Sequence, residues 1–279
     1  MKPAPFEYCR PESLAEALAL LREYGEAAAV LAGGLSLGPM LNLRMARPEA
    51  VIDINRLDEL ARIERDGPYL RTGALVRQAD ALASAECRES VPLLVAALGH
   101  VGHYQTRSRG TLAGSAAHAD PSAEVPLCLT TLGGEVELRS ERQVRRVPAG
   151  EFFLGALTTG RAEDEMISAL LWPIRRGATA FDEVSERRGD FAIVAAAAWA
   201  ERSAEGIRYA LGLGGIGDRP VSAGGTAGDV SSLAAQVSGE LADGLEGMED
   251  QRASADYRRH LAGHLGRQVL HRVLQEAAA

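Results

Sequence analysis

The sequence predicts an α+β protein of two domains, and three observations carry that prediction. Its 279 residues amount to about two domains at the usual roughly 150 residues each. From residue 13 to about 175, short buried strands alternate with helices and with loops rich in Gly, Ser and Thr. Beyond 175 the pattern turns to three antiparallel strand candidates and then a helical tail. The expected domains are therefore 1–175 and 176–279.

Ser13-Leu14-Ala15-Glu16 reads as a capping box that opens a helix over about 13–24, stopping near Gly25. Ala28 to Ala32 is a short buried strand that runs into Gly33-Gly34, and Ser36 to Arg44 resumes a helical pattern. Val51 to Ile54 and Leu70 to Ala74 are the next strands. Helices follow at about 76–84 and at Pro92 to Leu98. The stretch from Arg107 through Ser115 to Asp120-Pro121 holds too many turn formers for a regular helix and is expected as a ligand loop. Val125 to Thr131 is helical again, Gly134 to Arg139 alternates like an edge strand, and Ala149 to Phe153 opens a loop-to-helix segment. Glu165 to Trp172 is a strand broken by Pro173. Ala180 to Ser185, Ala192 to Glu201 and Gly206 to Gly212 are the three strand candidates of the second domain, and the stretch from about 228 to 276 is mostly helical.

Composition narrows the function classes. With 46% hydrophobic and 24% charged residues, the chain can build an ordinary core. Only 5% is aromatic, so that core rests on Ala, Val, Leu and Ile, and the run Ala195 to Ala198 implies closely packed elements. A net charge of -8 with no basic stripe argues against nucleic acid, which needs clustered Lys and Arg to displace counterions. No run of about 18 apolar residues could span a membrane, and the first residues lack an apolar signal core. A cytoplasmic protein is expected. The 3 cysteines, Cys9, Cys87 and Cys128, are far apart, so neither a disulfide framework nor the four thiolates of an ordinary iron-sulfur cluster can come from this chain alone.

Three glycine-containing stretches stand out. Gly212-Leu213-Gly214-Gly215-Ile216-Gly217 matches the dinucleotide fingerprint, but Pro220 would fall inside the helix that the fingerprint requires, so a glycine-rich strand end or turn is expected instead. Ala32-Gly33-Gly34-Leu35-Ser36 follows a buried strand, where glycines let backbone N–H groups turn toward an anion ahead of a helix start. No Lys-Ser/Thr pair follows, so this is not a Walker loop. Thr111-Leu112-Ala113-Gly114-Ser115 combines small residues with hydroxyls suited to phosphate oxygens, and Asp120 and Glu124 add carboxylates suited to sugar hydroxyls. A solvated loop using these residues for its own turns is the alternative.

The runs AGGLSLGPMLNLRMARPEAVIDINRLDEL (32–60), VGHYQTRSRGTLAGSAAHADPSAEVPL (101–127) and ERRGDFAIVAAA (186–197), with the opening KPAPFEYCRPESLAEALALL, together resemble the FAD-binding medium subunit of molybdenum hydroxylases. That family includes the flavoprotein subunits of carbon monoxide dehydrogenase and of bacterial nicotine, caffeine and xanthine dehydrogenases. The resemblance implies an N-terminal FAD-binding domain of the vanillyl-alcohol-oxidase (PCMH) type with subdomains at about 1–57 and 58–175, and a smaller C-terminal α+β domain with a three-stranded antiparallel sheet. It implies FAD pyrophosphate held by Ala32, Gly33, Gly34, Leu35 and Ser36 and by Thr111, Ala113, Gly114 and Ser115. By the same resemblance Asp120 and Glu124 reach the ribityl and sugar part, and Asp190 and Phe191 of the Gly-Asp-aromatic motif lie beside the isoalloxazine ring. Ala113 stands where Gly is usual and Leu35 where a polar residue is common.

The implied partners are a large molybdopterin-binding subunit that oxidises the substrate and a small subunit carrying [2Fe-2S] clusters, in a heterotrimer or a dimer of heterotrimers. The FAD of this chain would pass electrons to an external acceptor, with no side chain acting as general acid or base and no covalent flavin link indicated. A self-contained FAD oxidoreductase of the same fold and a flavin-free scaffold subunit are the alternatives. His260 and His264 share a helix face but lack a third ligand, so surface roles are expected rather than a metal. His100 and His103 flank a turn near the second loop.

Overall fold

A computed structural model describes residues 2–228 and 231–279. Asp229 and Val230, at the start of the expected helical tail, and Met1 lie outside the described residues. The chain opens with β1 (Glu7–Cys9), α1 (Leu14–Tyr24), β2 (Ala28–Leu31), α2 (Leu37–Asn42) and β3 (Ala50–Asp53). These strands form a parallel sheet of order β1-β3-β2. Ser13 caps α1 by accepting from the Glu16 N–H at 3.2 Å, while the Glu16 carboxylate accepts from the Glu12 N–H at 2.8 Å. The helix turns Leu14, Ala17, Leu18 and Leu21 into the core at helical spacing.

A second sheet follows from the hairpin β4 (Ile63–Asp66) and β5 (Tyr69–Gly73). Six helices are inserted before its next strand: α3 (Gln78–Ala83), α4 (Ala85–Ser90), α5 (Pro92–Leu98), α6 (Tyr104–Arg109), α7 (Leu112–His118) and α8 (Glu124–Leu132). Then come β6 (Glu135–Arg139), β7 (Val144–Pro148), the short α9 (Ala149–Phe152), β8 (Phe153–Gly155), β9 (Thr158–Thr159) and β10 (Met166–Pro173). The sheet order is β4-β5-β10-β6-β7. Strand β6 therefore pairs on both sides and is not the edge strand its alternation suggests; Val136, Glu137 and Leu138 are all buried.

Most of the stretch read as an irregular ligand loop is two helices, α6 and α7, broken at Gly110 and Thr111; only Ala119 to Pro121, past the end of α7, is irregular. Thr111 acts as an N-cap, accepting from the Gly114 N–H at 2.9 Å, and Leu112, Ala113 and Ala116 bury one helical face. Small residues here serve tight packing, which local turn propensity does not register.

Four strands, not three, form the last sheet: β11 (Ala178–Val184), β12 (Val194–Ser203), β13 (Gly206–Gly214) and β14 (Val221–Ala227), antiparallel in that order. Helices α10 (Leu233–Asp243) and α11 (Ala255–Ala278) cover one face. The alanine run sits on the central strand β12 and serves both sides: Ala195 and Ala197 join the N-terminal core, Ala196 and Ala198 the core beneath α10 and α11. Helix α8 presses on the first face. All nine of its residues are buried, the Thr131 carbonyl accepts from Trp199 Nε1 at 2.9 Å, and a Cβ at Gly212 would meet Thr131 Oγ1 at 1.9 Å. The glycine-rich stretch 212–217 thus ends a strand and allows close packing, with no helix after it. Arg258 of α11, 2% exposed, closes the same end by donating to Ile193 O at 2.5 Å and Gly215 O at 2.7 Å and pairing with Asp250 at 2.8 Å.

Candidate flavin site

The two N-terminal glycine loops meet. Parallel pairing of β2 with β3 aims the turn at Gly33 toward the start of α7, and a Cβ at Gly33 would lie 2.5 Å from Arg109 O and 2.9 Å from Gly110 Cα. Only glycine permits that backbone approach. Gly34 adopts φ +75°, a left-handed conformation costly for other residues, and so turns the chain into α2.

A hydrogen-bond network clamps the loops from behind. Asn55 Nδ2 donates to Ala32 O at 2.8 Å and to Asp53 Oδ1 at 2.6 Å. Arg77 donates to Asn55 Oδ1 and to Arg109 O, each at 2.6 Å. Burial and the nearby Arg109 charge lower the pKa of Arg77. Burial would raise Asp53, but hydrogen bonds from Tyr8 and Asn55 outweigh it and hold the carboxyl below its ordinary value. Gln78 N and Leu112 N add backbone bonds to Gly110 O at 2.9 Å and Val76 O at 3.1 Å.

Between the loops lies a cavity of about 290 Å³, or about 1100 Å³ with its open mouth. Its wall includes Ala32, Gly33, Gly34, Leu35 and Ser36 from the first loop, Thr111, Gly114 and Ser115 from the second, and Asp120, Glu124 and Phe191. Eleven of the thirteen residues singled out in the sequence therefore converge on one space. Two do not line it. Ala113 is buried in the core within α7, and Asp190 stays out of the wall, its N–H donating to Arg187 O at 3.0 Å. Ala113 is absent from the positive-φ positions, so its methyl costs the backbone nothing. Leu35 is 41% exposed at the cavity edge.

Phe191 belongs to the segment between β11 and β12, and Gly189 makes its approach possible. At φ +88°, Gly189 packs so closely on His103 that a Cβ would stand 2.7 Å from the imidazole Cε1. His103 is thus a packing partner of the Gly-Asp-Phe motif, while His100 Nδ1 lies 3.5 Å from Glu183 Oε1 and its ring against Phe181. His260 and His264 are exposed, and no metal-capable cluster occurs among the described residues.

Sequence reading missed Asn55, Arg77 and Gln78. Gln78 lies in the cavity wall, and its Oε1 is buried with no hydrogen-bond partner among the described residues. A cradle of closely apposed glycine turns with an unmatched amide in its wall fits a long ligand carrying both phosphate and donor groups.

Residues 4–174 match the FAD binding domain in molybdopterin dehydrogenase, and residues 179–273 the CO dehydrogenase flavoprotein C-terminal domain. The chain belongs to the FAD-binding medium subunits of the molybdenum hydroxylase family. This medium subunit is 40% identical over 225 residues to the caffeine dehydrogenase subunit beta of Pseudomonas sp. (strain CBB1), covering 79% of this chain and 76% of that one. It is 34% identical to the nicotine 6-hydroxylase medium subunit of Paenarthrobacter nicotinovorans, covering 100% and 99%. Among solved structures, reconstituted CO dehydrogenase from Oligotropha carboxidovorans superposes with a TM-score of 0.93 at 30% identity, over 99% of this chain and 100% of that one. These relatives are oxidoreductase subunits, and no helix among the described residues of the medium subunit is long and apolar enough to cross a membrane.

Proposed function

We propose that this chain carries electrons through FAD within a molybdenum hydroxylase, from the iron-sulfur clusters of a small partner subunit to an external acceptor. A large molybdopterin-binding subunit oxidises the organic substrate, and the three form a heterotrimer or a dimer of heterotrimers. Residues 1–175, with subdomains at about 1–57 and 58–175, bind the flavin, and 176–279 form the second domain. The observation that carries this reading is the meeting of two glycine turns and Phe191 around one cavity.

Bound FAD supplies a centre that accepts single electrons and delivers pairs. The protein's part is to hold it. Backbone N–H groups at Gly33 to Ser36 face the pyrophosphate, and Gly114 and Ser115 at the start of α7 leave its approach clear. Arg77 and Asn55 fix the spacing of those turns. Gln78 offers its unmatched amide, Asp120 and Glu124 meet the sugar and ribityl hydroxyls, and Phe191 packs against the ring. The alternative of a flavin-free scaffold loses its motive, because Ala113 lies in helical backbone and Leu35 turns to the edge of the cavity. A self-contained oxidoreductase would need a catalytic base over the ring.

The test is purification of the full chain with and without its two partners. The chain alone should release FAD on denaturation, identified by mass, and should oxidise no organic substrate. Turnover by the chain alone would overturn the subunit reading.

A further inference from the structure

One wall of the cavity holds more acid than sugar hydroxyls require. Glu124, in the first turn of α8, lines the cavity at only 6% exposure. Glu183 on β11, whose charge acts on Glu124, has a side chain 4% exposed and an Oε2 buried without a hydrogen-bond partner among the described residues. Its other oxygen meets His100 Nδ1 at 3.5 Å, and the His100 side chain is 40% exposed. Glu124 lies on α8, Glu183 on β11 and His100 two residues past the end of α5.

Their surroundings favour the neutral forms. Burial pushes Glu124 up to about 8 against a hydrogen bond from its own backbone, and the negative Glu183 and Asp120 add to the rise. No cation is among the groups that set its protonation. His118 shares the cavity wall, and Cys128, one turn along α8, has its own thiol raised by burial and then by Glu124. Glu183 is raised to about 7 by burial and then by Asp182. His100 is lowered by burial; Asp182 opposes the fall and Arg188 adds to it.

An ionised carboxylate in this wall would oppose the negative diphosphate of FAD in a site poor in water. We propose that Glu124 meets FAD as a neutral carboxylic acid that donates a hydrogen bond. The inference rests on the FAD reading above. Its sign follows from linkage: below the point where Glu124 ionises, the empty protein already holds the proton; above it, binding must take one up. Affinity for FAD then falls about tenfold per pH unit.

The experiment is titration of the flavin-stripped full chain with FAD from pH 6 to 9, with calorimetry in two buffers of unlike ionisation enthalpy. The expected result is a flat dissociation constant up to about pH 8, then the tenfold-per-unit rise, with about one proton taken up at pH 9. Glu124→Gln, nearly isosteric, should bind FAD with no such rise. Glu183→Gln removes a neighbouring charge and should move the onset to lower pH. A flat profile with no proton uptake in the unaltered chain, or an unchanged slope in Glu124→Gln, overturns the proposal. A folded chain that binds no FAD at any pH overturns the FAD reading instead.

Discussion

Two hollows of nearly equal size, about 290 Å³ between the glycine turns and about 320 Å³ between α10 and α11, are made of opposite materials. The first is walled by backbone turns, a buried acid and a buried amide, and is clamped from behind by Asn55 and Arg77. The second is floored by Ala235, Gly239 and Gly263 and rimmed by Arg259, His260, His264 and Arg267. Its histidines are exposed, and Arg259 is already spent on Glu246 O at 2.8 Å and on Asp256. Volume does not separate a cofactor site from a gap between helices. What separates them is a wall that would be costly to build for any other reason.

The sharpest way to break the contrast is Gly33→Ala. Its methyl would drive the two turns apart at Arg109 O and Gly110, so the purified chain should lose its flavin, read as FAD released on denaturation. Gly34→Asp should do the same by strain at φ +75° and by placing a carboxylate against pyrophosphate. Retained flavin in both variants would rule out this placement of the phosphate site. Next in size is Arg258→Met, which strips two buried carbonyls of their donor and should cost about 3–5 kcal/mol in denaturant unfolding. A loss under about 1 kcal/mol would mean that other groups satisfy Ile193 and Gly215. Arg77→Leu should leave both turns in place but loosely spaced, weakening FAD about tenfold or more, in line with about 1.5–3 kcal/mol for hydrogen bonds from a charged group. Smallest is His264→Ala in the second hollow, expected to change stability by no more than about 0.5 kcal/mol and flavin content not at all. A flavin loss there would erase the distinction drawn between the hollows.

The parts legible in the sequence are those whose signal is local. The capping box of α1, the buried run of β3, the turn at Gly33-Gly34 and the Pro-started helix α5 all declare themselves within a few residues. The convergence of Gly33, Ser115, Glu124 and Phe191 followed from motif order within a resemblance, since no pattern along the chain states their proximity. The clamp was invisible because Asn55 and Arg77 look like any loop polar residues until β3 and α3 bring them together. Strand β14 escaped because Val221-Ser-Ala-Gly-Gly-Thr-Ala227 is poor in branched residues; pairing with β13 holds it extended. The reading of 107–115 as a loop failed for the converse reason, since tertiary burial of Leu112 and Ala116 outweighed turn-forming composition.

Phe191 has a temporal meaning as well as a spatial one. Both glycine turns precede residue 116, whereas Phe191 emerges only after β11, so a nascent chain owns a phosphate cradle long before it owns the face that closes it. Flavin captured early would sit with its ring uncovered until the last sheet is synthesised and docks on α8. The cradle is thus the work of the first 115 residues, and the face that closes it the work of the C-terminal third of the polypeptide.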